Sequence, residues 1–316
     1  MRGSTLPEWL IERGIGETRH ALIEDGRIVE ARIIRDGLTP AGTILAARLV
    51  STGRNPVARA GDHEYLLPKG APGVTEGATI SIEVTREPLG GAEPWKRPLA
   101  RLSDEAPHPA PPLDGRELAF PSPADALEAA GWSDLLDEAR GGIIAFTGGE
   151  LRIALTPAMA LIDVDGTLPP EQLAMAGAIA AAHAIRRHGI TGSVGIDLPT
   201  ISGKGARQAI AQAVDAIIPQ PFERTAVNGF GFLQIVRPRR HASLFELAGE
   251  RAPFEARALL RRAAREGGAV RLVAHPAVIA AITPDWLARL SAQVGGAVDL
   301  RAEPALGMAA GYATSA

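Results

Sequence analysis

Between residues 151 and 239 the chain reads as strand, helix, strand, helix, strand. Its first two strands each close on an aspartate, in Leu161-Ile162-Asp163-Val164-Asp165-Gly166 and in Val194-Gly195-Ile196-Asp197-Leu198-Pro199. A carboxylate at the end of a buried aliphatic run is costly to bury alone, because it loses its hydration. Adjacent parallel strands lie about 5 Å apart, so Asp163 and Asp197 can converge on one cation. Oxygen ligands without Cys or clustered His favour a hard ion, Mg2+ or Mn2+, over zinc. Each aspartate taken singly reads equally well as a helix cap or turn residue. The two together favour the metal.

Composition bounds the class. A chain of 316 residues, 46% hydrophobic and 22% charged, is long enough for two or three small domains with their own cores. A formal net charge of -3 argues against a globally basic nucleic-acid binder and leaves room for a local basic groove. Of the 33 basic residues only Lys69, Lys96 and Lys204 are lysine. Arginine's planar fork suits phosphate, yet the bias reads first as the mark of a GC-rich genome. Without cysteine, disulfides and thiolate metal sites are excluded. Residues 1–16 lack the apolar core of a secretory signal, and the alanine-rich stretch 174–184 falls short of a membrane span. The expectation is a cytoplasmic protein with no membrane partner.

Residues 1–37 predict a short helix or turn and then two strands, 19–24 and 27–35, joined across the hairpin dipeptide Asp25-Gly26. Glu17 and Arg19 are expected on a solvated strand edge. Five short runs, 43–51, 56–60, 64–67, 79–86 and 96–102, are punctuated by Gly and Pro and fit a small closed barrel of the OB type. Such barrels bind single strands by stacking bases on aromatics beside cations. Here Tyr65 and Trp95 are the aromatics, and Lys96, with Arg54, Arg59, Lys69, Arg86 and Arg97, supplies phosphate contacts. A structural barrel with a scattered charged surface fits equally well. The proline-rich 103–114 predicts a linker holding a solvated His108.

A helix is predicted over 123–140, with Ser122 as cap, Pro123 in the first turn and Gly131 as a break. A hairpin across Gly148-Gly149 leads into the Asp163 strand. His183 and His188 read as structural or solvated. Lys204 and Arg207 open the helix 206–217, whose free N–H groups attract phosphate, although Ser202-Gly203-Lys204-Gly205 lacks the glycine spacing of a P-loop. From 243 onward a small α/β unit is expected: an amphipathic helix at 254–265, a strand at 269–274, helices at 276–282 and 285–294, and a strand at 297–302. His275 is expected to make a structural hydrogen bond, and the tail 307–316 to be partly disordered.

Several motifs resemble the ribonuclease E/G family in order and spacing. Leu155-Thr156-Pro157-Ala158-Met159-Ala160-Leu161-Ile162-Asp163-Val164-Asp165 is similar to the family's first acidic strand. Arg186-Arg187-His188-Gly189-Ile190-Thr191-Gly192 and Ser193-Val194-Gly195-Ile196-Asp197 resemble its next turn and second acidic strand. Gly229-Phe230-Gly231-Phe232-Leu233-Gln234-Ile235-Val236-Arg237-Pro238-Arg239 looks like the ending after them. Weaker similarity covers 76–90 and 274–279.

The resemblance implies an α/β, multidomain (α+β) protein. A ribonuclease-H-like unit (1–37 and, with the linker, 104–150) would carry an inserted OB-fold barrel (38–103). A DNase-I-like catalytic domain (151–242) and a small C-terminal α/β domain (243–316) would follow. It also implies Mg2+-dependent endonucleolytic cleavage of single-stranded RNA, with Asp163 and Asp197 as metal ligands. Attack by metal-activated water would leave a 5′-phosphate and a 3′-hydroxyl. Asp165 stands where the family has asparagine and joins the catalytic set. Lys204, Arg207, Arg237, Arg239, Tyr65 and Lys96 would bind RNA.

Departures from the family pattern are specific. Pro199-Thr200 follows the second aspartate where another acid is usual, and Val57 and Leu66 fall near the places of two stacking phenylalanines. The cysteines of the zinc-linked tetramer are absent, which excludes that assembly and leaves a homodimer open. Too few residues separate barrel and helix for a domain that senses a 5′-monophosphate. These departures keep two alternatives in view, an RNA-binding protein of the same fold without catalysis and a metal-dependent DNA or nucleotide phosphohydrolase.

Overall fold

The computed structural model describes residues 6–89, 96–122 and 124–315. The chain divides between two units, one made of Met1–Asp36, Asp114–Leu136 and Leu247–Ala316, the other of Gly37–Leu113 and Asp137–Glu246.

The first unit opens with β1 (Glu8–Arg13), β2 (Glu17–Glu24) and β3 (Arg27–Arg35), paired antiparallel in succession. The turn between β2 and β3 needs left-handed backbone at both positions, and Asp25 (φ 48°) and Gly26 (φ 76°) supply it. Strand β1 corrects the expectation of a helix or turn. Glu12, which interrupts its apolar pattern, is buried rather than solvated: Arg19 Nε on β2 donates to Glu12 Oε1 at 2.9 Å. The solvated edge expected for Glu17 and Arg19 is likewise overturned. Arg19 is 1% exposed and lies 4.8 Å from the Trp132 ring, and Glu17 is buried against Arg261 at 2.5 Å. A guanidinium that finds both a carboxylate and an aromatic face can leave water.

In the second unit, β4 (Ile44–Ser51), β5 (Val57–Ala60), β6 (His63–Leu66), β7 (Thr79–Arg86) and β8 (Leu99–Leu102) close a five-stranded barrel in the order β4-β5-β6-β8-β7. Leu49, Ala58, Leu67, Ile82 and Val84 fill it. Tyr65 belongs to the same core at 2% exposure, with its hydroxyl 3.2 Å from Thr39 Oγ1. Trp95 lies outside the described residues.

After the linker, β9 (Arg116–Leu118) pairs parallel to β1 and completes the first unit's four-stranded sheet. Helices α1 (Ala126–Ala129) and α2 (Trp132–Gly141) follow, split at Gly131 with φ 96°. Asp125 caps α1 in place of Ser122, and Pro123 lies outside the described residues.

The second unit's sheet then assembles from β10 (Ile143–Phe146), β11 (Gly149–Leu155), β12 (Ala160–Gly166), β13 (Gly192–Asp197), β14 (Glu223–Arg224) and β15 (Phe232–Arg237). Their order is β10-β11-β12-β13-β15-β14. Helix α3 (Pro170–Arg187) carries the chain from β12 to its parallel neighbour β13, as a parallel pair requires. Helix α4 (Lys204–Ile217) follows β13, and α5 (Leu244–Gly249) follows β15.

The first unit is completed by α6 (Arg251–Ala263), β16 (Val270–Ala274), α7 (Pro276–Ala280), α8 (Pro284–Val294), β17 (Val298–Ala302) and β18 (Tyr312–Ser315). Leu259, Leu260, Leu272, Val278 and Leu290 form its core with Ile15 of the N-terminal segment. The tail corrects the expectation of disorder. Strand β18 pairs antiparallel with β16, Arg262 Nη2 donates to Gly311 O at 2.8 Å, and Met308 and Ala313 pack on the core. His275 Nδ1 accepts from Ala277 N at 3.1 Å and so caps α7, a structural role as expected. Among the described residues no helix is long and apolar enough to cross a membrane.

Candidate functional site

Strand β12 alternates as a half-buried strand must: Ala160, Ile162 and Val164 are buried, and the intervening Leu161, Asp163 and Asp165 face the other way. Asp163 is half-buried and Asp165 exposed. On β13, Val194 and Ile196 are buried and Asp197 is exposed at the strand end. The parallel register pairs Asp163 directly with Asp197. Register partners on neighbouring strands carry their side chains to the same face about 4.8 Å apart. Two carboxylates distant in sequence are thus brought side by side.

The flanking strands complete the surroundings. Arg152 on β11 is the register partner of Asp163, and Glu150 that of Asp165. Arg152 Nη2 pairs with Glu150 at 2.7 Å, while its Nε lies 3.9 Å from Asp165. The Glu150 hydrogen bond and charge, and then the charges of Asp165 and Asp163, raise the guanidinium pKa. Sequence reading passed over Arg152 and Glu150, since only the antiparallel register of β11 brings them to the aspartates. On the other side of Asp197 stands its β15 partner, Phe232. The Phe232 ring covers Gly195, where a Cβ would sit 2.5 Å from Cζ. Glycine is required for that close approach.

Asp163 and Asp197 offer oxygen donors to a hard cation, a set that suits Mg2+ or Mn2+ completed by water and substrate phosphate. Among the described residues no group of three or more His, Cys, Asp or Glu is arranged to hold a metal ion. Asp165, exposed, lies 3.9 Å from Arg152, whose hydrogen bond goes to Glu150.

Of the expected phosphate contacts, Lys204 is exposed at the first turn of α4 and lines a groove of about 340 Å³ with Arg207, Gln208, Ala211, Arg224, Ala226 and Val227. Arg207 also holds the preceding loop, its Nη1 donating to Ile201 O at 2.9 Å and Ser202 O at 3.1 Å. Arg224 was not foreseen. It pairs with Asp215 at 2.6 Å and 2.5 Å, a partnership across two elements that spacing does not reveal.

Three of the expected RNA contacts are held within the fold. Arg237 Nη1 donates to Ile190 O at 2.7 Å, and Arg239 pairs with Glu246. Both guanidiniums are taken up by partners within their own unit. Tyr65, buried in the barrel, presents no ring face to a base. Lys96 is half-buried just before β8. His188 is buried against Phe245, with Nε2 3.1 Å from Glu138, and is structural.

No family model matches the chain, and no curated protein matches it.

Proposed function

We propose that this protein is a cytoplasmic, Mg2+-dependent endoribonuclease acting on single-stranded RNA, a shortened relative of the ribonuclease E/G family. The observation that carries the reading is the direct pairing of Asp163 with Asp197 across parallel strands at an exposed sheet end. The barrel's strand order, first-second-third-fifth-fourth, supports an OB-type platform. The ribonuclease-H-like, DNase-I-like and C-terminal small-domain divisions belong to the same proposal.

Asp163 and Asp197 would hold the ion, which when bound supplies Lewis-acid activation of the phosphodiester toward water. Arg152 restrains the neighbouring carboxylates, and Lys204 draws the RNA backbone toward α4. The products are a 5′-phosphate and a 3′-hydroxyl.

A second reading, RNA binding without catalysis, is favoured by one observation, the approach of Arg152 to within 3.9 Å of Asp165 beside the aspartate pair. Incubating labelled RNA and DNA oligomers with the protein in Mg2+ and then in EDTA separates the two readings. RNA cleavage that needs Mg2+ and is lost in Asp163→Asn and Asp197→Asn, while RNA binding persists, supports the nuclease. Binding without cleavage by the unaltered protein selects the second reading, and cleavage of DNA alone rejects both.

A further inference from the structure

Phe230 is 83% exposed, although the turn that carries it is tightly held. Asn228 Oδ1 accepts hydrogen bonds from Phe230 N at 2.9 Å and from Phe232 N at 3.0 Å, and Asn228 N donates to Phe232 O at 3.0 Å. The turn is also fastened to the residues that follow Asp197. Leu198 N donates to Gly231 O at 3.2 Å, and Thr200 Oγ1 lies 3.4 Å from Phe230 O. Gly231 adopts φ 93°, and a Cβ there would lie 2.2 Å from Leu198 O, so the turn is seated directly on this strand end. The ring therefore projects into water from a backbone fixed beside the carboxylate pair.

Its surroundings point to one kind of ligand. The same connection, a few residues earlier, contributes Ala226 and Val227 to the groove that Lys204, Arg207 and Arg224 line. An aromatic face flanked by cations on one side and by paired carboxylates on the other suits a polymer that alternates flat bases with phosphates. A stacking face accepts every base, and the cations track the backbone.

We propose that Phe230 is a positioning residue that stacks on a base of single-stranded RNA, and that the strand runs from the Lys204 groove over Phe230 to the Asp163–Asp197 pair. This rests on the nuclease reading for the place of the chemistry but not for the binding. It makes binding tolerant of sequence and selective for unpaired bases, because a base held in a duplex stack has no free face to offer.

The test measures RNA affinity in EDTA, where no cleavage occurs, and cleavage separately in Mg2+. Phe230→Ala is expected to weaken binding of a single-stranded RNA oligomer on the order of tenfold with an unchanged salt slope, and Phe230→Trp to restore it. The Phe230→Trp protein is expected to show fluorescence quenching by RNA in excess of that of the unaltered protein's own tryptophans, an excess that an abasic oligomer does not produce. Native affinity in Phe230→Ala, or no added quenching in Phe230→Trp, overturns the stacking role, and Mg2+-dependent cleavage in those same samples leaves the nuclease reading standing. Phe230-dependent binding without cleavage in Mg2+ supports the stacking role and rejects the nuclease. Failure of the unaltered protein to bind RNA overturns the stacking role as well.

Discussion

Arg237 folds back on the C-terminal end of a helix: its Nη1 donates to Ile190 O, just beyond α3, at 2.7 Å, with Ile185 O of the last turn at 3.5 Å. Ile185 O already accepts from Ile190 N at 2.9 Å, so the guanidinium's main acceptor is Ile190 O, and its charge there opposes the negative end of the α3 dipole. Arg237→Ala is expected to lower stability by about 2 kcal/mol, the usual loss for hydrogen bonds to a charged group. It should leave the salt dependence of RNA affinity unchanged. Lys204→Ala should do the reverse, flattening the slope of log affinity against log salt by about 0.7 with little change in stability. Urea denaturation and a salt titration of RNA binding, run on both variants, check the contrast. A flattened slope in Arg237→Ala would restore it as a phosphate contact.

The Glu12–Arg19 pair predicts a different pattern. Both residues are 1% exposed, so removing Arg19 leaves Glu12 without its counterion in the interior, whereas removing Glu12 leaves Arg19 with Asp125 at 3.5 Å. Arg19→Met is expected to cost about 3–5 kcal/mol. The double variant Glu12→Gln, Arg19→Met should recover much of that loss, because no lone charge remains. Denaturation midpoints for the two single variants and the double variant form the cycle that tests it. Additive losses would show that the pair is not coupled.

His20 carries a pH prediction. Burial, and then the charges of Arg32 and Arg13, push its pKa down to about 4, from 6.5 in an unperturbed imidazole. Between those values the unfolded chain binds a proton that the folded protein refuses, so stability falls as the pH drops from about 6.5 toward 4 and is unaffected above that window. His20→Gln should reduce this acid sensitivity. Carboxylates titrating nearby act in both proteins, so the measurement is the difference between their stability profiles from pH 7.5 to 4. Parallel profiles would remove His20 as the cause.

What could be read from the chain is what depends on near neighbours. The Asp25-Gly26 turn and the break at Gly131 show because both demand positive φ. The aspartate-ended strands show because in each a short aliphatic run ends on an acid. What could not be read depends on distant partners. The strand character of β1 is hidden by Glu12, whose counterion sits on β2, and β18 has its pairing partner in β16, some forty residues back. Tyr65 lies on a four-residue strand, too short for alternation to say which side is inward. An arginine after a strand looks the same whether it will meet a phosphate or, like Arg239, a glutamate of its own unit.

Gly177 couples packing to the candidate site. It lies in α3 where the helix crosses β12, and a Cβ at this position would stand 2.2 Å from Val164 Cγ1. Val164 adjoins Asp163 on the same strand. On propensity alone Gly177→Ala gains about 1 kcal/mol in a helix interior, whereas forcing a methyl into a filled contact costs about 1–3 kcal/mol. The clash is with a branched side chain rooted in a sheet, which has little room to turn aside. Packing is therefore expected to win, with a net loss of up to about 2 kcal/mol in urea denaturation. Displacement of β12 should also weaken the Mn2+ binding proposed for Asp163 and Asp197, read by electron paramagnetic resonance. A variant more stable than the parent would mean that α3 can move away from β12, and the strand bearing Asp163 would then not be held by this contact.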